Sequence, residues 1–272
     1  GMSFVLRHLG NNLWSGRLDL FPSDALVHGF SARQGGVSAP PYDTLNMALH
    51  VEDDPAAVWE NRRRYCAALG LSAERICTPR QVHGTEIVRV FRRDAGRGAR
   101  DYADCIADAD ALITNDNDVT LLLCYADCVP VLLYDPVHHA IALVHAGWRG
   151  TVERIGAKTL ARMTEEFGTR PTDIIAGIGP SICADCYTVG DEVAAQFRRA
   201  FPHDAERIVA ERDGKYHLDL WAANRLALEE VGVPPQQIDS AQTCTSCDHT
   251  WFYSYRAAGG RTGRLAAVME LK

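Results

Sequence analysis

The run Ala140-Ile141-Ala142-Leu143-Val144, continuing through His145-Ala146-Gly147-Trp148-Arg149-Gly150 into Thr151–Phe167 and closed by Gly168, decides the fold class. Its first five residues are apolar without alternation, as in a strand buried on both faces. From Thr151 the pattern changes: Val152, Ile155, Leu160, Met163 and Phe167 recur at helical intervals, and Gly168 supplies a left-handed stop. A strand thus passes through a short loop directly into an amphipathic helix. Working outward, Glu86–Phe91, Val119–Cys124, Val129–Tyr134, Asp173–Ala176 and Leu265–Glu270 are short Val, Ile and Leu runs that predict further buried strands. A helix is predicted from Asp54 as N-cap, with Pro55 in its first turn, Val58, Tyr65, Cys66 and Leu69 on its apolar side, and Gly70 as its stop. It has a purely structural character. Two more helices are predicted over Asp191–Phe201 and Trp221–Val231. The class is α/β with α+β character, a mixed β-sheet flanked by helices. No repeat or Pro/Gly/Ser-rich linker divides residues 1–272, which reads as a single globular domain.

With 272 residues, 47% of them hydrophobic and 23% charged, the chain has the means to bury a large core. The formal net charge of −7 and the lack of a dense Lys/Arg run argue against a nucleic-acid partner, whose phosphates would meet net repulsion. The most apolar stretch, Val119–Tyr134, is interrupted by Asp127 and Pro130 and is too short to cross a bilayer as a helix, so no membrane partner is expected. The opening Gly-Met-Ser-Phe-Val-Leu-Arg-His lacks the features of a signal peptide, and Gly1 ahead of Met2 reads as a cloning remnant. Nine irregularly spaced cysteines suit reduced thiols better than a disulfide framework. The expected location is the cytoplasm, and the oligomeric state is not legible.

Three metal-ligand side chains stand at boundaries between predicted elements: His83 in Gln-Val-His-Gly, Cys128 in Ala-Asp-Cys-Val-Pro, and His145 in His-Ala-Gly-Trp-Arg-Gly. Strand ends are where α/β folds gather residues distant in sequence. Two imidazoles and a thiolate leave one tetrahedral position open, which is the arrangement of a catalytic rather than a structural zinc. Spacing alone does not establish it. A histidine after a strand is more often merely hydrogen-bonded, and a lone cysteine is usually a small buried apolar residue.

The sequence resembles the laccase-domain family, known as multicopper polyphenol oxidase-like and associated with purine nucleoside phosphorylase activity. Phe30-Ser31-Ala32-Arg33-Gln34-Gly35-Gly36-Val37-Ser38 is similar to an early block, with Ala32 where Thr is common. Gln81-Val82-His83-Gly84, Asp108-Ala109-Asp110-Ala111-Leu112, Ala126-Asp127-Cys128-Val129-Pro130 and His145–Gly150 resemble the central blocks in order and separation. Ile178-Gly179-Pro180-Ser181-Ile182, Cys244-Thr245, Ser254-Tyr255-Arg256 and Thr262-Gly263-Arg264 extend the likeness to the C-terminus. The resemblance implies zinc on His83, Cys128 and His145, with copper as a less favoured metal. It also implies phosphorolysis of inosine, adenosine and methylthioadenosine, together with adenosine deamination.

On that reading the catalytic set is His83, Cys128, His145 and Arg149, and the partners are purine nucleosides and inorganic phosphate. Phosphorolysis needs arginines to hold the attacking anion, and Arg33 and Arg149 are the candidates, with Ser31 as a helper donor. Arg149 follows His145 at the entry to a predicted helix, where free amides also favour anions. Asn46 and Gln81 are candidates for hydrogen bonds to ribose or purine, with turn or capping roles as the alternative. The stretch Cys183-Ala-Asp-Cys-Tyr-Thr-Val-Gly190 departs from the family, which more often has neighbouring cysteines and a Glu after the Tyr. His138-His139 replaces a commonly small position and is expected in a solvated turn.

Other readings compete. Cys183-x-x-Cys186 and Cys244-x-x-Cys247 have the form of a zinc ribbon, but the long, helix-bearing separation between the pairs favours buried or pocket-edge thiols. A true copper oxidase needs His-x-His pairs and many imidazoles, whereas this chain has ten His and no His-x-His. A cysteine hydrolase with Cys128 as nucleophile and His145 as base is a further alternative, and a non-catalytic metal-binding module is the last.

Overall fold

The computed structural model describes residues 4–272; the proposed remnant Gly1 lies outside the described residues. The chain opens with a meander of Phe4–His8 (β1), Trp14–Leu18 (β2) and Leu26–Ser31 (β3), followed by the helix Pro55–Ala68 (α1). Then come Ile76–Cys77 (β4), Ile87–Arg89 (β5), Ala111–Thr114 (β6), Thr120–Tyr125 (β7), Val129–Asp135 (β8) and Ala140–Ala146 (β9). Trp148–Val152 (α2) and Ile155–Phe167 (α3) lead to Ile175–Ile178 (β10), the two-residue Thr188–Val189 (β11) and Asp191–Ala200 (α4). Ala205–Ile208 (α5), Val209–Arg212 (β12), Lys215–Leu218 (β13), Leu220–Glu230 (α6), Ile238–Ser240 (β14) and Leu265–Leu271 (β15) complete it.

The fold is α/β with mixed sheets flanked by helices. Two six-stranded sheets carry it, in the orders β1-β2-β3-β15-β7-β4 and β14-β10-β8-β9-β6-β5, beside a small sheet β11-β13-β12. In each large sheet antiparallel pairs dominate, with β4 on β7, β5 on β6 and β14 on β10 parallel. Side-chain alternation sorts the layers. Leu121, Leu123, Leu265, Ala267 and Met269 of the first sheet meet Leu132, Tyr134, Ile141 and Leu143 of the second in one apolar core. The opposite face of the first sheet, with Leu122, Ala266 and Val268, is covered by Tyr65 and Cys66 of α1. The opposite face of the second, with Val131, Leu133, Ala142 and Val144, is covered by α3, α4 and α6. Both sheets are therefore covered on both sides, which is why their central strands read as unbroken apolar runs.

The helix predicted over Thr151–Phe167 is two helices. Arg154 adopts a left-handed backbone, φ 58°, between α2 and α3. Its side chain is held there by the Glu230 carboxylate at 2.9 Å and the Ala200 carbonyl at 2.7 Å, and its guanidinium lies 4.0 Å from the Phe201 ring centroid. These tertiary contacts outweigh the continuous helical pattern. The predicted helix ends hold: Gly168 is left-handed at φ 78° where α3 stops, and Asp54 caps the start of α1 by accepting the Ala56 amide at 3.0 Å.

Candidate metal centre and cleft

The β8–β9 register sets Pro130 opposite His145 and Val129 opposite Ala146. His145 shares the parity of Ile141 and Leu143, so it turns away from the helices toward the space between the sheets. Cys128, one step before β8 and on the parity of Leu132, faces the same way and sits diagonally across from it. His83 arrives on the loop between β4 and β5 with φ 59°. That loop is fixed by one carboxylate. Asp110 accepts the amides of Val82, His83 and Gly84 at 3.1, 3.1 and 2.9 Å, and Nδ1 of His145 at 2.8 Å.

One ligand atom from each of His83, Cys128 and His145 lies within 4.8 Å of the others. With Nδ1 of His145 engaged by Asp110, Nε2 is the free ligand atom, the carboxylate–imidazole arrangement typical of metal sites. Gly147 makes the approach possible: a Cβ there would stand 3.2 Å from both Cys128 Sγ and His83 Cδ2. The donor set, two nitrogens and one sulfur with an open side, fits a three-ligand metal ion. Burial opposes ionisation of Cys128, but His145 and His83 outweigh it and bring the thiol down to about 6. Burial likewise opposes a charged His145, yet Cys128 and Asp110 push it up to about 9. Asp110 is held below the usual carboxylate range against its own burial, by His145 and by the amides of Gly84 and Val82. These shifts run toward an ionised Cys128 beside a charged His145, and a bound metal ion would compete with the proton of that imidazole.

The cluster forms the floor of a cleft of about 520 Å³ walled by Trp148, Tyr187, Tyr255, Arg149, Arg256 and Arg264. Such a volume suits a nucleoside-sized ligand. Arg149 forms no side-chain hydrogen bond or ion pair among the described residues; it lies 4.7 Å from the Trp148 ring and is exposed at the mouth. Arg256 instead donates to Thr188, and Arg264 to the carbonyls of Thr262 and Gly263. A second cavity of about 510 Å³, bordered by Arg7, Arg17, Asp19 and Lys272, contains no gathered ligand atoms.

Of the residues proposed for substrate, Gln81 borders the cleft, but both ends of its amide are bonded to the backbone of Cys124 at 2.8 Å. The other three point elsewhere. Ser31 is fully buried and its Oγ accepts the Ala266 amide. Arg33 donates to the carbonyls of Asp43 and His249 and lies over Tyr253, so its fork is already filled by protein. Asn46 is fully buried and satisfied by Ala48, Asp53 and the Arg264 amide. Arg33 and Asn46 fix loop backbone and Ser31 ties the end of β3 to β15, duties that sequence alone does not separate from ligand binding. Sequence reasoning missed Asp110, although it stands within a quoted block. It also missed Asp127, at φ 100°, whose carboxylate accepts Thr245, Ser254 and the Arg256 amide at 2.7 Å each. Adjacency to Cys128 is the signal that could have found Asp127, whereas Asp110 stands far from all three ligands along the chain and meets them only in the fold.

Cys183, Cys186, Cys244 and Cys247, expected as buried or pocket-edge thiols rather than a ribbon, are brought together: their sulfurs gather within 4.8 Å of one another. Distance along the chain misled because β10 and β14 are parallel neighbours, Ile178 opposite Ser240, and a bridge continues the pairing to Ser181 and Cys244. Both loops leave the sheet at the same end. His138 occupies the β8–β9 turn as expected, anchored by Asp135 at 2.8 Å.

A family-wide sequence profile described as multi-copper polyphenol oxidoreductase laccase matches residues 27–272. The chain belongs to this family. Within it, the purine nucleoside phosphorylase YlmD of Bacillus subtilis (strain 168) is 39% identical over 249 residues, covering 91% of this chain and 89% of the relative. A protein named adenosine deaminase RL5, from an unknown prokaryotic organism, is 35% identical over 250 residues, 91% of this chain and 95% of its own. The crystal structure of YlmD from Geobacillus stearothermophilus superposes with a TM-score of 0.93 at 37% identity, covering 99% of each chain. These relatives carry enzyme names, and the chain is an enzyme. Among the described residues no helix is long and apolar enough to cross a membrane.

Proposed function

We propose that this enzyme is a zinc-dependent purine nucleoside phosphorylase acting on inosine, adenosine and methylthioadenosine in the cytoplasm, with adenosine deamination as a second reaction of the same cleft. The observation that carries the reading is the coincidence, in one nucleoside-sized cleft, of an open two-nitrogen, one-sulfur cluster, aromatic walls and an unengaged arginine. Zinc suits the donor set better than copper, because His83, Cys128 and His145 are the only imidazole-bearing cluster among the described residues and a polyphenol oxidase needs many more imidazoles. The relatives' phosphorylase and deaminase names supply the substrate class.

Zinc bound there supplies Lewis-acid polarisation of the substrate or of water. The protein's own part follows from its residues. Tyr187, Tyr255 and Trp148 offer apolar faces to a purine, and their enclosure limits water. Arg149 is the donor left for phosphate, whose paired N–H groups match two oxygens of the anion and set it against the sugar carbon as the glycosidic bond loosens. Asp110 holds the His145 ring and the His83 loop in place. Deamination as a second activity is favoured by the RL5 name alone.

The test is incubation of metal-replete enzyme with purine nucleosides, with and without phosphate. The expected result is free base and ribose 1-phosphate, with base release dependent on phosphate. Base release that is absent, or undiminished without phosphate, overturns the phosphorylase assignment and brings the cysteine-hydrolase reading of Cys128 and His145 forward.

A further inference from the structure

We propose that Cys183, Cys186, Cys244 and Cys247 form a second metal site, a closed tetrathiolate that holds zinc and clamps one wall of the cleft. All four are free thiols. The sulfur of Cys247 lies 4.0 Å from that of Cys183 and 3.5 Å from that of Cys186. The edge of a zinc–sulfur tetrahedron with bonds of about 2.3 Å is about 3.8 Å, so these sulfurs already stand at the spacing that a shared ion sets. Each Cys-x-x-Cys segment is bent back on itself, Cys186 donating to the Cys183 carbonyl at 3.2 Å and Asp248 to the Cys244 carbonyl at 3.0 Å. Cys244 Sγ accepts the amides of both Cys183 and Cys247 at 3.3 Å, one from each loop. Backbone donors aimed at sulfur from two sides favour a thiolate, the form that ligates.

Ordinary packing accounts for Cys244, which belongs to the apolar core, and in part for Cys183 and Cys186 against it, but not for the exposed Cys247 that joins them. The surroundings supply a reason for a staple. The chain from 241 to 264, between β14 and β15, contains no helix or strand beyond the bridge at Cys244, and a long irregular stretch in a compact fold needs tying down. It presents Thr245, Ser254 and Arg256 to Asp127, next to Cys128, while Cys186 directly precedes Tyr187 of the cleft wall. Four protein ligands leave no open position, so the role is structural, and the site is distinct from the three-ligand cluster on the cleft floor.

The experiment is elemental analysis and zinc-edge X-ray absorption on the full chain, purified anaerobically with zinc. Two zincs per chain are expected, with about 2.5 sulfur neighbours per zinc averaged over a four-sulfur and a one-sulfur site. In the variant combining His83→Ala, Cys128→Ala and His145→Ala, one zinc should remain, with four sulfurs at about 2.3 Å. Cys244→Ser with Cys247→Ser should lose that zinc and raise KM for the nucleoside more than it lowers kcat. Wild-type protein with about one sulfur per zinc, or with Cys186 and Cys247 joined as a disulfide, overturns the proposal even if the variants fold poorly. A single zinc surrounded by four sulfurs supports it while counting against zinc on the cleft floor.

Discussion

Replacing Asp110 with Asn tests whether the centre depends on the carboxylate behind its ligands. The two oxygens accept four hydrogen bonds: one faces Val82 and Gly84, the other His83 and His145. An amide keeps one of those oxygens. If its NH2 faces Val82 and Gly84, two amide donors lose their acceptor and the His83 loop is pushed outward. If the amide flips, NH2 faces Nδ1 of His145, and the ring must carry its proton on Nε2, the atom needed for the metal. Either orientation strips two donors of a charged partner, at roughly 1.5–3 kcal/mol each before the loop relaxes. The loss expected in zinc affinity is about 10- to 100-fold, or about 1.4–2.7 kcal/mol. Competition titration against a chelator of known affinity reads it, beside thermal unfolding of metal-free protein to separate folding from binding. Affinity within about twofold of wild type would refute the reasoning, because it would mean that the imidazole needs no partner.

Arg149→Lys keeps the charge but loses the paired donors, so phosphate-dependent turnover should fall about tenfold or more while deamination of adenosine falls less; equal losses would remove Arg149 from phosphate capture. His28, which accepts the Leu18 amide at 2.9 Å, is brought down to about 4, chiefly by burial and then by Arg17. A depressed folded value means that its stabilisation is complete above about pH 6.5 and is lost as pH falls toward 4, up to about 3 kcal/mol in all. Urea unfolding from pH 7.5 to 4.5 should therefore show a shallower acid loss in His28→Gln than in wild type, and parallel curves would contradict this. Asp127→Ala leaves Thr245, Ser254 and the Arg256 amide without their acceptor and should cost about 2–4 kcal/mol in denaturant melts; an unchanged midpoint would show that water replaces it.

Elements with one-face or two-face burial were legible: the central strands and α1 follow from apolar pattern and caps that no distant contact opposes. The break at Arg154 was not legible, because Glu230 and Ala200, which hold it, lie far along the chain. The meander β1–β3 was missed, since its short strands mix apolar residues with Arg, His and Gly. In the site, ligand chemistry at element ends made His83, Cys128 and His145 candidates, the family resemblance singled them out, and the structure gathers them. Ser31, Arg33 and Asn46 stand outside the cleft lining; a polar side chain that secures backbone looks, in sequence, like one that awaits a ligand. The gathering of the four cysteines was not legible because parallel pairing of β10 with β14 can be read only from the folded sheet.

The ladder that sets Pro130 against His145 also bears on how this pair can diverge. The turn between Asp135 and Ala140 lies outside the paired strands, so descendants can lengthen or shorten it while Cys128 and His145 keep their separation in space. A single residue gained within 129–135 or 140–146 is different: it reverses the parity of everything beyond it and turns one donor toward the helices. Spacing between the two blocks is therefore free to change without moving the donors, whereas the lengths of the two strands are tied to the gathering of Cys128 and His145.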